Sequence, residues 1–156
     1  MWYTLFFMVQ TVITHSLEET KKLGKEFAAR LHKPTVIALH GDLGAGKTTF
    51  AQGFAEALGI KHRIISPTFI IVRKYQISNF KFQISNFYHI DLYRIESERD
   101  IQNLGILELL KNPCNIVFIE WAEKMGDLLP KKRWDVSFDY LNEQSRKIQI
   151  DSFSVV

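Results

Sequence analysis

Lys47 and Thr48 close a glycine-rich run, Gly41-Asp42-Leu43-Gly44-Ala45-Gly46-Lys47-Thr48, that fills every fixed position of the pattern G-x-x-x-x-G-K-[ST]. The spacing suits one chemistry. Glycines let the backbone turn its amide N–H groups inward, and a following helix adds the positive end of its dipole. The product is a pocket for the α- and β-phosphates of a nucleoside triphosphate such as ATP. Lys47 would reach the β- and γ-phosphates. The Thr48 hydroxyl would meet a Mg²⁺ ion bridging them, and Thr49 follows in the same turn.

Such a loop needs a carboxylate at a neighbouring strand end, to hold the metal or its water. Two acids qualify. Glu120 follows the apolar run Ile116-Val117-Phe118-Ile119, and Asp91 follows Tyr88-His89-Ile90. Strand ends on the loop side of a parallel sheet are where these ligands gather. Either acid alone could be a charged residue at a strand exit. Residue types and spacing do not decide which one meets the metal.

The elements that must position these groups can be read from periodicity. Residues 9–14 read as a strand. A helix follows, with Ser16 as N-cap and Glu19 completing a capping box. Leu23, Phe27 and Leu31 form its apolar stripe, and Pro34 stops it. Residues 35–39 are a short, buried strand leading into the loop. Phe50, Phe54 and Leu58 then recur at helical spacing, with Gly59 placed to cap. Strand, loop and helix in that order are the context a phosphate loop requires. Residues 69–75 and 86–94 read as strands, residues 100–112 as a helix broken or bent near Gly105, and residues 115–121 as a buried strand. A short helical turn ends at Pro130. Residues 134–140 and 146–153 alternate around a polar turn, predicting an antiparallel hairpin. The expected architecture is a three-layer α/β domain with a mostly parallel central sheet, a single unit over residues 1–156. "QISNF" occurs at 76–80 and again at 83–87. Two copies make no solenoid, and a duplication lengthening a hairpin is the simple reading.

Bulk properties narrow the classes. The chain has 156 residues, 46% apolar and 24% charged, with net charge +3. That suits one soluble domain and falls short of the strong basic field of a dedicated nucleic-acid binder. One cysteine, Cys114, makes no internal disulfide, and a reducing cytoplasm is the expectation. The apolar start lacks a basic leading segment and is shorter than the roughly 20 residues that span a bilayer. No membrane association is therefore expected. Residues 1–8 read as an extension, and Met8 could equally start the chain. The histidines lack zinc-site spacing. His89 and Asp91, two apart on a strand, share a face. The basic runs 61–63 and 131–133 read as solvated loops, with a tRNA- or partner-facing patch as the alternative.

Taken together, "GDLGAGKTT", "SPTF" (66–69), "HIDLYR" (89–94) and "IEWAE" (119–123), in this order, resemble the TsaE family. The likeness spans roughly residues 9 to 150. It implies a small bacterial Mg²⁺-dependent ATPase with slow turnover of its own. Its part is in making threonylcarbamoyladenosine, beside the anticodon of tRNA, with the partner proteins TsaB and TsaD. By resemblance, Thr48 and Glu120 ligate Mg²⁺, and Asp91 orients water or acts as general base. Ser66 and Thr68 look like a switch loop sensing the γ-phosphate, though a proline-shaped turn with capping hydroxyls would read the same. Trp121 resembles a position important for activity; otherwise it is a core tryptophan. Leu17, Thr20 and Arg146 lie in segments resembling adenine-side contacts. The duplicated "QISNF" departs from the family pattern. Two rivals share the loop. A small-molecule or nucleoside kinase would need an arginine-bearing lid, and no compact one is visible among Arg73, Arg94 and Arg99. A non-enzymatic ATP-dependent adaptor would tolerate loss of Asp91 or Glu120.

Overall fold

A computed structural model describes residues 9–31, 33, 35–65, 71–77 and 84–153. The strands β1 (Val9–Thr14), β2 (Thr35–His40), β3 (Val72–Gln76), β4 (Asn86–Asp91), β5 (Asn115–Glu120), β6 (Arg133–Tyr140) and β7 (Arg146–Phe153) form one sheet in the order β1-β7-β6-β2-β5-β4-β3. The inner strands β6, β2, β5 and β4 run parallel to one another. The flanks β3, β7 and β1 are added antiparallel. All six residues of β5 are buried, as a strand covered on both faces requires, and its unbroken apolar run follows from that. Strand β1 alternates exposed and partly buried residues at the sheet's edge.

Helices α1 (Leu17–Arg30) and α2 (Lys47–Ala57) cover one face. Ser16 caps α1 by accepting from Glu19 N at 3.1 Å. The reciprocal half of the expected capping box is displaced. The Glu19 carboxylate accepts instead from His15 N, at 2.7 Å, one residue before the cap. The stripe Leu23, Phe27 and Leu31 is buried as its spacing predicts, while Pro34 lies outside the described residues. Phe27 packs on Phe50, Phe54 and Trp134, with ring centroids 5.3–5.9 Å apart. Two glycines let the helices touch. A Cβ on Gly53 would fall 1.9 Å from Lys21 O, and one on Gly24 would fall 2.2 Å from Phe50 O. Lys21 and Lys25 bridge the same pair of helices through Glu56. Their hydrogen bonds hold its carboxyl below the ordinary value.

On the other face lie α3 (Glu98–Asn103) and α4 (Ile106–Lys111), parted by Gly105 at φ 68°. The helix expected to be broken or bent near Gly105 is broken there into two. A 3-10 segment, Ala122–Leu128, completes this layer. Strands β3 and β4 pair as an antiparallel hairpin, continued by Ile77 N donating to Ser85 O at 3.2 Å. Ile77 and Ile84, equivalent positions of the duplicated segment, are both buried. Residues 78–83 lie outside the described residues, as do Phe69 and Ile70 of the expected strand. Among the described residues, no helix is long and apolar enough to cross a membrane.

At the root of the glycine loop, His40 Nε2 lies 2.7 Å from Asp135 Oδ1 on β6. Arg133 Nε donates to the same oxygen at 3.1 Å. Burial works against ionisation of Asp135, but the hydrogen bonds of His40 and Arg133 outweigh it, so its pKa is lowered. A depressed carboxyl stabilises the fold above the unfolded value near 4 and loses that contribution as pH falls through the folded value. Asp135→Asn should therefore be less stable than the parent at neutral pH, with the gap closing below about pH 4. Denaturant melts across pH check this. Gly53→Ala should lower the unfolding free energy by about 1–3 kcal/mol, because Lys21 O is backbone and the helices must separate. A shift in denaturation midpoint reads it directly.

Candidate functional site

The parallel register brings the candidate groups to one edge of the sheet. Leu39 of β2 is the register partner of Glu120 on β5, and Glu120 is the partner of Asp91 on β4. The glycine loop leaves β2 immediately beyond. Gly41, Gly44 and Gly46 have φ of 137°, 78° and 103°, which side chains rarely tolerate. Gly41 is doubly constrained, since a Cβ there would lie 2.6 Å from Phe138 O. Asp42, Leu43 and Gly44 are exposed at the loop's crest, and Ala45 is buried beneath it. Gly46 caps α2, whose first residues are Lys47, Thr48 and Thr49.

Lys47 is buried, and its Nζ donates to Gly41 O at 2.6 Å and Asp42 O at 2.8 Å. The loop's own carbonyls thus satisfy an ammonium at the floor of the turn. Glu120 is buried, and its Oε1 is 2.8 Å from His89 Nε2. The partner of His89 is therefore Glu120, not the sequence neighbour Asp91. Asp91 Oδ1 accepts from Tyr93 N at 2.9 Å, fixing the turn after β4, and Leu92 N donates to Glu120 O at 3.1 Å.

Trp121, directly after Glu120, has φ 58° and ψ 40°, the one positive φ on a non-glycine residue among the described residues. A left-handed tryptophan costs backbone energy. Here it turns the chain sharply from β5 into the 3-10 segment. Its ring packs on Tyr93 at 5.2 Å, and Lys124 Nζ donates to Tyr93 O and Ile95 O at 2.5 and 2.9 Å. The ends of β4 and β5 are thereby locked together.

Two further residues singled out from the sequence lie against the loop. Thr20 is buried, with its hydroxyl 2.8 Å from Thr14 Oγ1. Arg146, buried on β7, donates through a terminal nitrogen to Gly44 O at 3.3 Å and stacks over the Tyr140 ring at 4.6 Å. A Cβ on Gly46 would sit 3.6 Å from both Arg146 Cγ and Thr20 Cγ2. Arg146 Nε is buried without a hydrogen-bond partner among the described residues. Leu17, at the start of α1, is 59% exposed. Ser66 and Thr68 lie outside the described residues. The pairs His40–Asp135 and His89–Glu120 and the Lys124 clamp were absent from the sequence reading. Each joins residues far apart in the chain, and only the strand register could have announced them.

As a donor set this edge suits a hard cation beside phosphates. It offers the Thr48 hydroxyl and the Glu120 carboxylate as hard oxygen donors to the cation, and the Lys47 ammonium as a partner for phosphate.

A family model described as threonylcarbamoyl adenosine biosynthesis protein TsaE matches residues 14–148. The tRNA threonylcarbamoyladenosine biosynthesis protein TsaE of Rickettsia felis is 39% identical over 140 residues, 89% of this chain and 78% of its own. The protein of the same name from Bacillus subtilis is 38% identical over 131 residues, 84% of this chain and 78% of its own. A crystal structure of Bacillus subtilis YdiB superposes with a TM-score of 0.77 at 29% identity, covering 97% of this chain and 90% of that one. The phosphate-loop α/β fold and these similarities agree along nearly the whole chain, which belongs to the TsaE family.

Proposed function

We propose that this chain binds ATP with Mg²⁺ and hydrolyses it slowly, as the ATPase component of the machinery that makes threonylcarbamoyladenosine in tRNA. It would act with TsaB and TsaD in the cytoplasm and meet tRNA only through that complex. One observation carries the reading. Lys47 is held on the carbonyls of its own glycine loop, and that loop leaves β2 beside the strand that ends in the buried carboxylate of Glu120. Phosphate oxygens would replace those two carbonyls as partners of the ammonium. The amides from Gly41 to Thr48 and the start of α2 would take the remaining phosphate charge. Arg146 and Thr20 flank the loop on the α1 side, where the nucleoside would extend, with Leu17 one turn beyond. Ser66 and Thr68 are assigned to sensing the γ-phosphate.

Thr48 and Glu120 would hold Mg²⁺, which when bound neutralises charge building on the β- and γ-phosphates. Asp91 neighbours Glu120 across the sheet. It would orient the attacking water and receive its proton, while Tyr93 N keeps one of its oxygens fixed. Trp121 would shield the site from bulk water.

Lys47→Ala should abolish ATP binding while leaving the fold intact, as calorimetric titration and circular dichroism would show together. Glu120→Ala should lose Mg²⁺-dependent turnover by about a hundredfold or more. Asp91→Asn should keep Mg²⁺–ATP binding yet slow hydrolysis by about 10²–10⁴-fold. Normal hydrolysis in the Lys47 and Glu120 variants would refute the site. Normal hydrolysis in the Asp91 variant would remove only the water-orienting role.

A further inference from the structure

His89 is fully buried on β4, and its hydrogen bond to Glu120 spans from the interior of the sheet to the candidate metal-side carboxylate. The imidazole cannot tilt freely. It stacks on Phe87 with centroids 6.4 Å apart and planes at 29°, and meets the edge of Phe118 at 6.5 Å and 85°. Register sets the reach. His89 is the β-sheet partner of Phe118, two residues before Glu120, so both side chains emerge on the same face. Nδ1 has no hydrogen-bond partner among the described residues. A bare lone pair in aromatic surroundings is tolerable, whereas an unpaired N–H there is costly. The proton therefore sits on Nε2, which donates to Oε1.

We propose that His89 is a positioning residue for Glu120, holding one carboxylate oxygen so that the other faces the cation accompanying the nucleotide. The inference rests on the reading of Glu120 as the metal-side carboxylate. A neutral donor is suited to this work. A lysine or arginine in its place would cancel the charge that attracts the cation, whereas the imidazole orients the carboxylate and leaves its charge intact. Hydrogen-bond partners that orient ligating groups commonly change metal affinity by 10–100-fold. A histidine that merely satisfied a buried acid would affect stability and leave metal affinity unchanged.

The test measures binding rather than turnover. A fluorescent, non-hydrolysable ATP analogue is titrated onto the full chain with increasing MgCl₂, and separately in EDTA. His89→Met, which keeps volume and loses the donor, should raise the Mg²⁺ concentration for half-maximal binding by about tenfold or more. Binding in EDTA should not change. His89→Gln, which restores a donor, should recover most of the loss. A folded His89→Met protein with the parent's Mg²⁺ dependence overturns the proposal. Should that variant not fold, the ring ¹⁵N signals of His89 in the unaltered protein decide. They should report Nε2–H and move when Mg²⁺ joins the bound nucleotide; signals indifferent to Mg²⁺ overturn it. If the unaltered protein shows no Mg²⁺-dependent binding at all, the proposed function fails and this inference falls with it.

Discussion

Strand β5 is paired on both sides, to β2 and to β4, and all six of its residues are out of solvent. The site depends on that pairing. Parallel strands in register end at the same level, so Leu39, Glu120 and Asp91 reach one edge together. The chain then diverges in three ways: into the glycine loop after β2, into the left-handed Trp121 turn after β5, and into the Tyr93 turn after β4. A slip of one residue would turn Glu120 away from His89 and toward the opposite face. Burial on both faces resists such a slip, because every residue of β5 would have to exchange its neighbours.

The interior polar groups make sense in that frame. A buried carboxylate and a buried ammonium are costly unless paired or hydrogen-bonded. Each here is satisfied locally, Glu120 by His89 and Lys47 by the carbonyls of Gly41 and Asp42. The helix layer adds rigidity from behind: Phe50 and Phe54 of α2 pack on Phe118 of β5, with centroids 6.4 and 4.5 Å apart. The start of α2, which carries Lys47 and Thr48, is thereby seated directly on the strand that ends in Glu120. On the hairpin side, Arg146 ties β7 to the loop's crest through Gly44 O. The glycine loop is thus held from the strand before it, the helix after it and the hairpin beside it.

Much of this was legible in the sequence wherever the determining forces are local. The glycine loop depends on backbone angles that few residues adopt, so its residue types announce it. The stripes of α1 and α2, the buried run of β5 and the alternation of the last two strands follow from periodicities of one element at a time. Gly105 was readable as a break or a bend, and the helix breaks there. What escaped was decided by register or by tertiary reach. His89 shares a face with Asp91, two residues away, yet its hydrogen bond goes to Glu120, 31 residues on. Lys124 clamps carbonyls 29 and 31 residues back, and Arg146 reaches Gly44 across 102. Glu19 fell one residue short of a capping box, since the chain entering α1 presents His15 N to its carboxylate. The choice between Asp91 and Glu120 came from family resemblance, not from spacing. Ser66 and Thr68 lie outside the described residues, so their assignment still rests on that resemblance alone.

The central claim is that the loop drives a cycle shared with other proteins, beyond merely holding a nucleotide. The most direct measurement is steady-state ATP hydrolysis by the purified chain, alone and with a TsaB–TsaD pair from the same source, while tRNA modification is followed in parallel. The account predicts that the pair stimulates hydrolysis and that modification over many turnovers requires this chain with Lys47 intact. A pair that neither binds the chain nor alters its hydrolysis, with modification proceeding equally well without it, would contradict the account.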